Sequence, residues 1–328
     1  MIKNIQLCGF GNGLVDLQYE VEKHELSDFG IEHGEMLLVP IEIQEELLKK
    51  LSGRKHNKCS GGSAANTLVA FTGFGGRGAY TTVLGNDNYG EFYAEEFKLI
   101  GVELHARHLD NFPTGTCVVL ITPDSERTMH TCLAATSQFG MIDINETLIS
   151  RSEWLYLEGY KLSENSSTDA MFEALQIGKK YDSRIALTFS DVFITQFHKS
   201  NVEKLTSKCD LIFCNETEAC SFTDKNNPEE AFDELTKICP NVAMTLGKNG
   251  SKIKWDGKIF NISGFEIKPI DTTGAGDMYA AGFLYGIINN YTPEISGKLA
   301  SWASSRIVAQ LGARLNQDHI KIKNQVIS

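Results

Sequence analysis

The sequence lacks an excess of positive charge, a long apolar run and a paired-cysteine motif. It has 31 lysines and arginines against 42 aspartates and glutamates, and a net charge of −11 over 328 residues. That balance argues against nucleic acid or an anionic membrane surface as a partner. No segment approaches a membrane span, and the first residues lack the apolar core of a signal peptide. These absences predict a cytoplasmic protein.

Other familiar motifs are also missing. The eight cysteines show no C-x-x-C spacing and mostly lie in apolar segments, as buried free thiols do. No G-x-x-x-x-G-K-[ST] phosphate loop is present, because Asn249 follows Gly247-Lys248. The run Gly9–Leu14 resembles a dinucleotide fingerprint, but Leu14 stands where the third glycine is needed. A dehydrogenase and a P-loop NTPase are therefore poorly supported.

What is present is a regular alternation of short apolar runs and amphipathic patterns. The predicted strands are Ile5–Phe10, Ala79–Leu84, Trp154–Leu157, Arg184–Phe189, Asp210–Cys214 and Val242–Leu246. The predicted helices are Ile41–Leu51, Ser63–Phe71, Gly90–Ile100, Ser167–Tyr181 and Pro228–Ile238. Strands separated by helices predict an α/β fold with a predominantly parallel sheet and helices on both faces.

Two segments interrupt this alternation. Residues 14–39 and 102–132 carry alternating β-type residues. We expect them to form a small β-sheet lid that closes over a ligand. The chain, residues 1–328, is then one domain with this lid inserted.

The most informative motif is the run Asp271–Gly282, in which a glycine-rich turn leads into an apolar helix. Gly274 and Gly276 let the backbone aim the N–H groups around Ala275 outward, and the helix dipole makes that turn an anion site. Asp277 stands within the site, where a carboxylate is costly unless it handles a proton or a metal. The alternative is an acidic residue that only stabilises the helix start.

Three further motifs carry candidate ligands. Gly62 permits close backbone approach, and Asn66 can hydrogen-bond a polyol in two directions. Asn215 and Glu218 follow a predicted strand and could hold hydrated Mg²⁺, although the same spacing forms a helix capping box. The turn Thr245–Gly250 is either a phosphate-side turn or a hairpin loop.

Taken in order, these motifs resemble the PfkB/ribokinase family of carbohydrate and nucleoside kinases. The resemblance runs from Asn12–Asp16 to Gln310–Ala313. Within the family, Asn215–Ala219 and Arg127–Ala135 look like adenosine kinases. The family implies a Rossmann-like core, a β lid and transfer of the ATP γ-phosphate to a primary hydroxyl.

The resemblance also implies roles for individual residues. Asp277 would take the hydroxyl proton, and the amides of Gly274, Ala275 and Gly276 would stabilise the charge on the phosphoryl group. Substrate binding would fall to Asn12, Asp16, Gly62, Asn66, Met129, Thr131 and Tyr160. ATP or phosphate binding would fall to Arg127, Asn215, Glu218, Thr245, Gly247 and Gly250.

The implied cofactors are ATP and Mg²⁺, the metal being held by Asn215 and Glu218 through water, and a monovalent cation such as K⁺ stays open. The leading acceptor is a nucleoside, adenosine first. The alternatives are a sugar kinase resembling ribokinase or fructokinase, and a catalytically silent nucleotide-binding protein. Monomer and homodimer are both compatible with the sequence.

Overall fold

The computed structural model describes residues 2–124 and 126–327, whose strands form two sheets. The strands are β1 Ile5–Phe10, β2 Leu14–Glu20, β3 Met36–Leu38, β4 Asn57–Gly61, β5 Gly78–Gly85, β6 Glu103–Leu109, β7 Gly115–Ile121, β8 Arg127–Cys132, β9 Ser152–Glu158, β10 Arg184–Thr188, β11 Leu211–Asn215, β12 Val242–Thr245, β13 Ser251–Trp255 and β14 Lys258–Ile262.

Helices connect most of these strands. They are α1 Lys23–Phe29, α2 Ile41–Lys50, α3 Ser63–Gly73, α4 Asn88–Ile100, α5 Glu146–Ser150, α6 Asn165–Lys180, α7 Val192–Phe197, α8 Lys199–Thr206, α9 Glu216–Thr223, α10 Pro228–Ile238, α11 Ala275–Ile288, α12 Pro293–Ile307 and α13 His319–Asn324. Local sequence explains their ends. At α10, for example, Asn227 accepts a hydrogen bond from the Glu229 amide, and Pro228 fills the first turn, where a missing N–H costs nothing. Within the described residues, no helix is long and apolar enough to cross a membrane.

The large sheet has nine strands in the order β14-β13-β12-β11-β10-β9-β1-β5-β6. The neighbours from β12 to β6 are parallel, and β13 and β14 are antiparallel at one edge. One hydrophobic core contains Leu68 of α3 and Phe283 of α11, and a second contains Met171 of α6 and Phe232 of α10. Different helices thus cover the two faces, which confirms the predicted α/β architecture.

The small sheet has the order β3-β8-β7-β2-β4, and its composition differs from the predicted lid segments. Glu103–Leu109, placed in the lid by its alternating pattern, instead pairs in parallel with β5 as the edge of the large sheet. Helix α4 connects β5 to β6 in a strand–helix–strand crossover, which places β6 beside β5. The edge position leaves β6 half exposed, and this explains its alternating pattern. Conversely, Asn57–Gly61 lies outside both predicted segments but pairs with β2. Its residues are poor strand formers, so the sequence pattern gave no sign of it.

The chain passes from the small sheet to the core at Gly61-Gly62, between β4 and α3. Gly62 has φ of 104°, and a Cβ on it would lie 2.1 Å from the carbonyl oxygen of Asn12. Only glycine fits at this turn, which brings the start of α3 against the end of β1.

Candidate functional site

The first turn of α11 leaves backbone N–H groups available for an anion. Gly274, just before the helix, has φ of 75°, and a Cβ on it would lie 2.9 Å from Ala313. In the described residues the amides of Gly276 and Asp277 have no hydrogen-bond partner. A Cβ on Gly276 would meet no atom within 4 Å, so the space before this turn is open. The Ala275 amide, one of the predicted donors, instead donates to the Thr272 carbonyl oxygen at 3.2 Å, so the donors open to an anion here are those of Gly276 and Asp277.

Asp277 is the third residue of α11, and two residues of α3 hold its carboxylate. The hydroxyl of Ser63 donates to Oδ1 at 2.6 Å, and Nδ2 of Asn66 donates to Oδ2 at 3.2 Å. Burial raises the pKa of Asp277 to about 6, although those two hydrogen bonds and the charge of Arg314 lower it in part. The carboxylate is therefore ionised at neutral pH beside the N–H donors, which suits a general base.

Asp16, on β2, brings a second carboxylate from the small sheet. Its oxygens make no hydrogen bond within the described residues and lie against Gly61, where a Cβ would come within 2.4 Å of Oδ1. Burial raises the pKa of Asp16 to about 6, while Arg314 and then Arg127 lower it. A carboxylate with free lone pairs can accept both hydrogen bonds of a vicinal diol.

Asp16 also belongs to a row of residues that runs across the small sheet. The register pairs Asp16 with Cys117, Cys117 with Thr131, and Thr131 with Leu38; on the other side, Asp16 pairs with Cys59. Directly paired residues point to the same face of a sheet. Because neighbouring strands lie about 4.8 Å apart, Thr131 stands roughly 10 Å from Asp16 along this face.

A parallel row lies two residues further along the strands. Met129 pairs with Val119, and Val119 pairs with Gln18. We call Cys117, Val119, Met129 and Thr131 the lid shelf. It is a mainly apolar surface that begins beside Asp16 and extends toward the free edge of the sheet.

Asn12, just beyond β1, is held by a buried polar network. Its Nδ2 donates to Glu158 Oε1 at 2.8 Å, and the Thr136 hydroxyl donates to its Oδ1 at 3.3 Å. Glu158 also accepts from the Ala64 amide at 2.8 Å, and Lys161 donates to the Thr136 carbonyl at 2.7 Å. Burial raises the pKa of Glu158 and lowers that of Lys161, while each charge favours the other. The orientation of the Asn12 amide is thereby fixed.

Tyr160 follows this network at the carboxyl end of β9. Its side chain is half buried and packs partly against the second core, without an aromatic partner or a hydroxyl hydrogen bond in the described residues. Burial raises the pKa of Tyr160, and the charges of Asp191, Glu158 and Asp277 add to this rise. The phenol therefore lies in the same region as these three carboxylates.

Arg127 connects the small sheet to the loop before α11. Its Nη1 donates to Asp271 Oδ2 at 2.5 Å and to the Thr273 hydroxyl at 2.8 Å, and the ion pair is buried. Asp271 Oδ2 also accepts from the Gly312 amide at 2.8 Å. The guanidinium, predicted to reach ATP phosphates, thus lies beside the anion site with Asp271 as its present partner.

Asn215 and Glu218 form the capping box that the sequence left as an alternative to a metal site. Asn215 Oδ1 accepts from the Glu218 amide at 2.8 Å, and Glu218 Oε2 accepts from the Asn215 amide at 3.0 Å. Burial, helped by the charges of Asp191 and Asp277, raises the pKa of Glu218 to about 7. Glu218 therefore caps α9 and also belongs to the group of carboxylates around Asp277.

The turn after β12 is a hairpin loop. Thr245 ends β12 directly opposite Asn215, and β12 pairs antiparallel with β13. Gly247 and Gly250 both have positive φ, at 53° and 95°. Hairpin and phosphate-side turn are compatible here, because the loop lies at the same strand ends as Asn215.

The structure adds residues that the sequence motifs did not single out. Ser63, Glu158 and Arg314 each bond a candidate site residue directly, and Lys161 bonds Thr136, which in turn holds Asn12. The position of Glu158 at a strand end could have suggested it. No group of three or more histidine, cysteine, aspartate or glutamate side chains in the described residues is arranged to bind a metal directly.

Comparison with known proteins gives a consistent result. Residues 34–320 match the profile of the pfkB family carbohydrate kinases. The chain is 26% identical to an adenosine kinase of Saccharomyces cerevisiae over 93% of this chain and 95% of that protein. A crystal structure of adenosine kinase from Sinorhizobium meliloti is 30% identical with a TM-score of 0.89, covering 98% of this chain and 99% of that one. A "probable sugar kinase protein" from Rhizobium etli CFN 42 is 28% identical with a TM-score of 0.90, covering 99% of both chains.

Proposed function

Because the chain belongs to the pfkB family of carbohydrate kinases, we propose that it transfers the γ-phosphoryl group of ATP to the primary hydroxyl of a nucleoside, with adenosine as the first acceptor to test. The family and the relatives make the chain a phosphotransferase with a hydroxyl acceptor. A kinase of this family uses ATP and usually Mg²⁺.

The lid shelf beside Asp16 is the observation that carries the choice of a nucleoside. With a ribose diol on Asp16, the next surface along the sheet is Cys117, followed by Thr131 and Met129. This surface extends roughly 10 Å, about the reach of a base attached to that ribose. Cys117 and Val119 are already buried. A free sugar would leave the half-buried Met129 and Thr131 uncovered, whereas a nucleobase would bury them and gain from the contact.

The proposed transfer follows from the surroundings of Asp277. The acceptor oxygen attacks the γ-phosphorus, its proton passes to the Asp277 carboxylate, and the bond to the β-phosphate oxygen breaks to release ADP. The free amides at Gly276 and Asp277 would bind the charge that gathers on the phosphoryl oxygens. Ser63 and Asn66 keep the carboxylate turned toward the acceptor.

The residues around Glu218 fit a hydrated Mg²⁺. The charges of Asp191 and Asp277 raise the pKa of Glu218, and a nearby cation would relieve this repulsion. Both Glu218 oxygens already accept hydrogen bonds from Asn215 but keep lone pairs for water. A metal held there would neutralise charge on the ATP phosphates.

A sugar acceptor is the second candidate, and the similarity to the Rhizobium etli protein favours it. The polar residues Asn12, Asp16 and Asn66 would serve the hydroxyls of a free sugar as well as those of a ribosyl group. The two proposals therefore differ in whether a base contacts the lid shelf and Tyr160.

An acceptor panel tests the proposal. ATP consumption is measured with adenosine, other nucleosides, ribose and fructose, and products are identified by mass; Asp277→Asn controls for contaminating kinases. Thr131→Trp, which would fill the space over the shelf, should raise KM for a nucleoside and leave a free sugar unaffected. Higher kcat/KM for ribose or fructose than for any nucleoside would establish the sugar-kinase alternative instead.

A further inference from the structure

Arg314 lies in the segment between α12 and α13 and is part of none of the motifs that suggest the function. Its Nε donates to Asn66 Oδ1 at 3.1 Å. Its Nη2 donates to the Ser60 hydroxyl at 2.8 Å and also to the Ser60 carbonyl oxygen. One guanidinium thus binds two residues that lie on opposite sides of the Gly61-Gly62 turn.

These two contacts join the small sheet to α3, the helix whose residues hold Asp277 of α11. Ser60 belongs to β4, opposite Val15 on β2, next to Asp16. Asn66 belongs to α3 and uses its other amide atom to donate to Asp277. Because Arg314 occupies the Asn66 oxygen, the Asn66 nitrogen must face the carboxylate, and the amide cannot turn over.

Arg314 is also the cation of a strongly acidic region. The titratable groups that face Asp277 are Asp16, Glu158, Glu218, Tyr80, Tyr156 and Tyr160, from elements of both sheets. Among the described residues, Arg314 supplies the positive charge that lowers the pKa of Asp277, and it is the first such charge for Asp16. Arg127 lowers the pKa of Asp16 as well.

We propose that Arg314 is a positioning residue for phosphoryl transfer, which turns Asn66 toward Asp277 and holds the Gly61-Gly62 turn against the core. This inference rests on the proposed function, because it assumes that Asp277 is the base. Lysine cannot replace arginine here, since one ammonium group does not offer the planar set of donors that reaches both Asn66 and Ser60.

Two variants separate the charge of Arg314 from its geometry. Arg314→Met removes both, so kcat should fall roughly ten- to a hundred-fold, as small displacements of reacting groups do. Without the cation, Asp277 holds its proton more tightly, so the acid limb of the kcat profile should move to higher pH. Arg314→Lys keeps the charge, so its acid limb should stay near the wild-type position while kcat still falls.

Controls make the result specific. Arg77→Met removes an exposed positive charge whose partners are Asn4 and Glu153, so kcat and its pH profile should not change. Melting temperature and circular dichroism of each variant report folding. The inference is overturned if folded Arg314→Met keeps the wild-type kcat and acid limb, or if it loses only stability. A wild-type kcat in Asp277→Asn, assayed in parallel, would overturn the proposed base instead.

Discussion

Asp277 is the residue on which the proposed chemistry depends most directly. Asp277→Asn keeps a hydrogen-bond acceptor for Ser63 but removes the group that takes the proton. We expect kcat to fall by roughly 10²–10⁴, the usual contribution of a positioned base, with little change in ATP or acceptor binding. Steady-state kinetics and binding calorimetry check this; near-wild-type kcat would exclude Asp277 as the base.

Substitution of Tyr160 tests whether the acceptor carries a flat ring that stacks on this side chain. Stacking of a base on an aromatic side chain contributes about 1–3 kcal/mol, so Tyr160→Ala should raise KM for a nucleoside roughly ten-fold or more and leave ATP KM nearly unchanged. Tyr160→Phe is the matched control, because the hydroxyl makes no hydrogen bond in the described residues. Since the ring also packs against the second core, a mutant with a lower melting temperature and equally weakened ligands would indicate a purely structural role.

Single residues were predictable where they lie in a local motif. Asp277 and Asn66 each follow a glycine-rich turn, and their spacing alone suggested a site. Arg314 could not be predicted in this way, because it binds Asn66 across 248 positions of the chain. Glu158 likewise holds Asn12 across 146 positions. The role of a side chain that positions another depends on tertiary contacts between distant residues, and local sequence patterns carry no information about those contacts.

At the scale of elements, Glu218 has two roles that one substitution can separate. Glu218→Gln keeps an oxygen for the Asn215 amide and so retains part of the cap of α9, but it removes the charge near Asp277. We expect a nearly wild-type melting temperature and a higher Mg²⁺ requirement. Glu218→Ala should add a loss of about 0.5–2 kcal/mol in stability.

The comparison for this test is another helix cap. Asn227→Ala removes the cap of α10 and should lower stability without changing the Mg²⁺ dependence of activity. If Glu218→Gln requires no more Mg²⁺ than the wild type does, Glu218 is a cap and nothing else.

Elements were predictable where burial imposes a pattern. The strand Ile5–Phe10 is buried throughout and has the predicted bounds. The incorrect predictions concern β6 and β4, which are edge strands of the large and the small sheet. Strand β6 alternates like a lid strand because its edge position leaves it half exposed, and β4 ends in a glycine because a Cβ there would collide with Asp16. Whether an edge segment forms a strand, and in which sheet, depends more on the neighbouring strands than on its own residue types.

On the scale of the whole molecule, the proposed site concentrates negative charge between the two sheets. Burial raises the pKa of Asp16 and Asp277 to about 6, and it raises that of Glu158 and Glu218 to about 7. Ionising four buried carboxylates so close together costs free energy, which bound cations would offset. Burying these carboxylates together lowers the stability of the fold, as is common where residues are arranged for function.

The last prediction follows from the sign of these shifts. A carboxylate whose pKa is higher in the folded than in the unfolded state adds stability below its unfolded pKa and loses it as the pH rises through the folded pKa. For Asp277 that loss occurs between about pH 4 and 7. The melting temperature of Asp277→Asn minus that of the ligand-free wild type should therefore rise by roughly 2–4 °C or more between about pH 4 and pH 7.5. His130 and His319, whose pKa values burial lowers, act in the opposite direction but equally in both proteins. Asp233→Asn, on the exposed side of α10, should show no such pH-dependent difference, and an Asp277→Asn difference that stays constant with pH would contradict the buried charge.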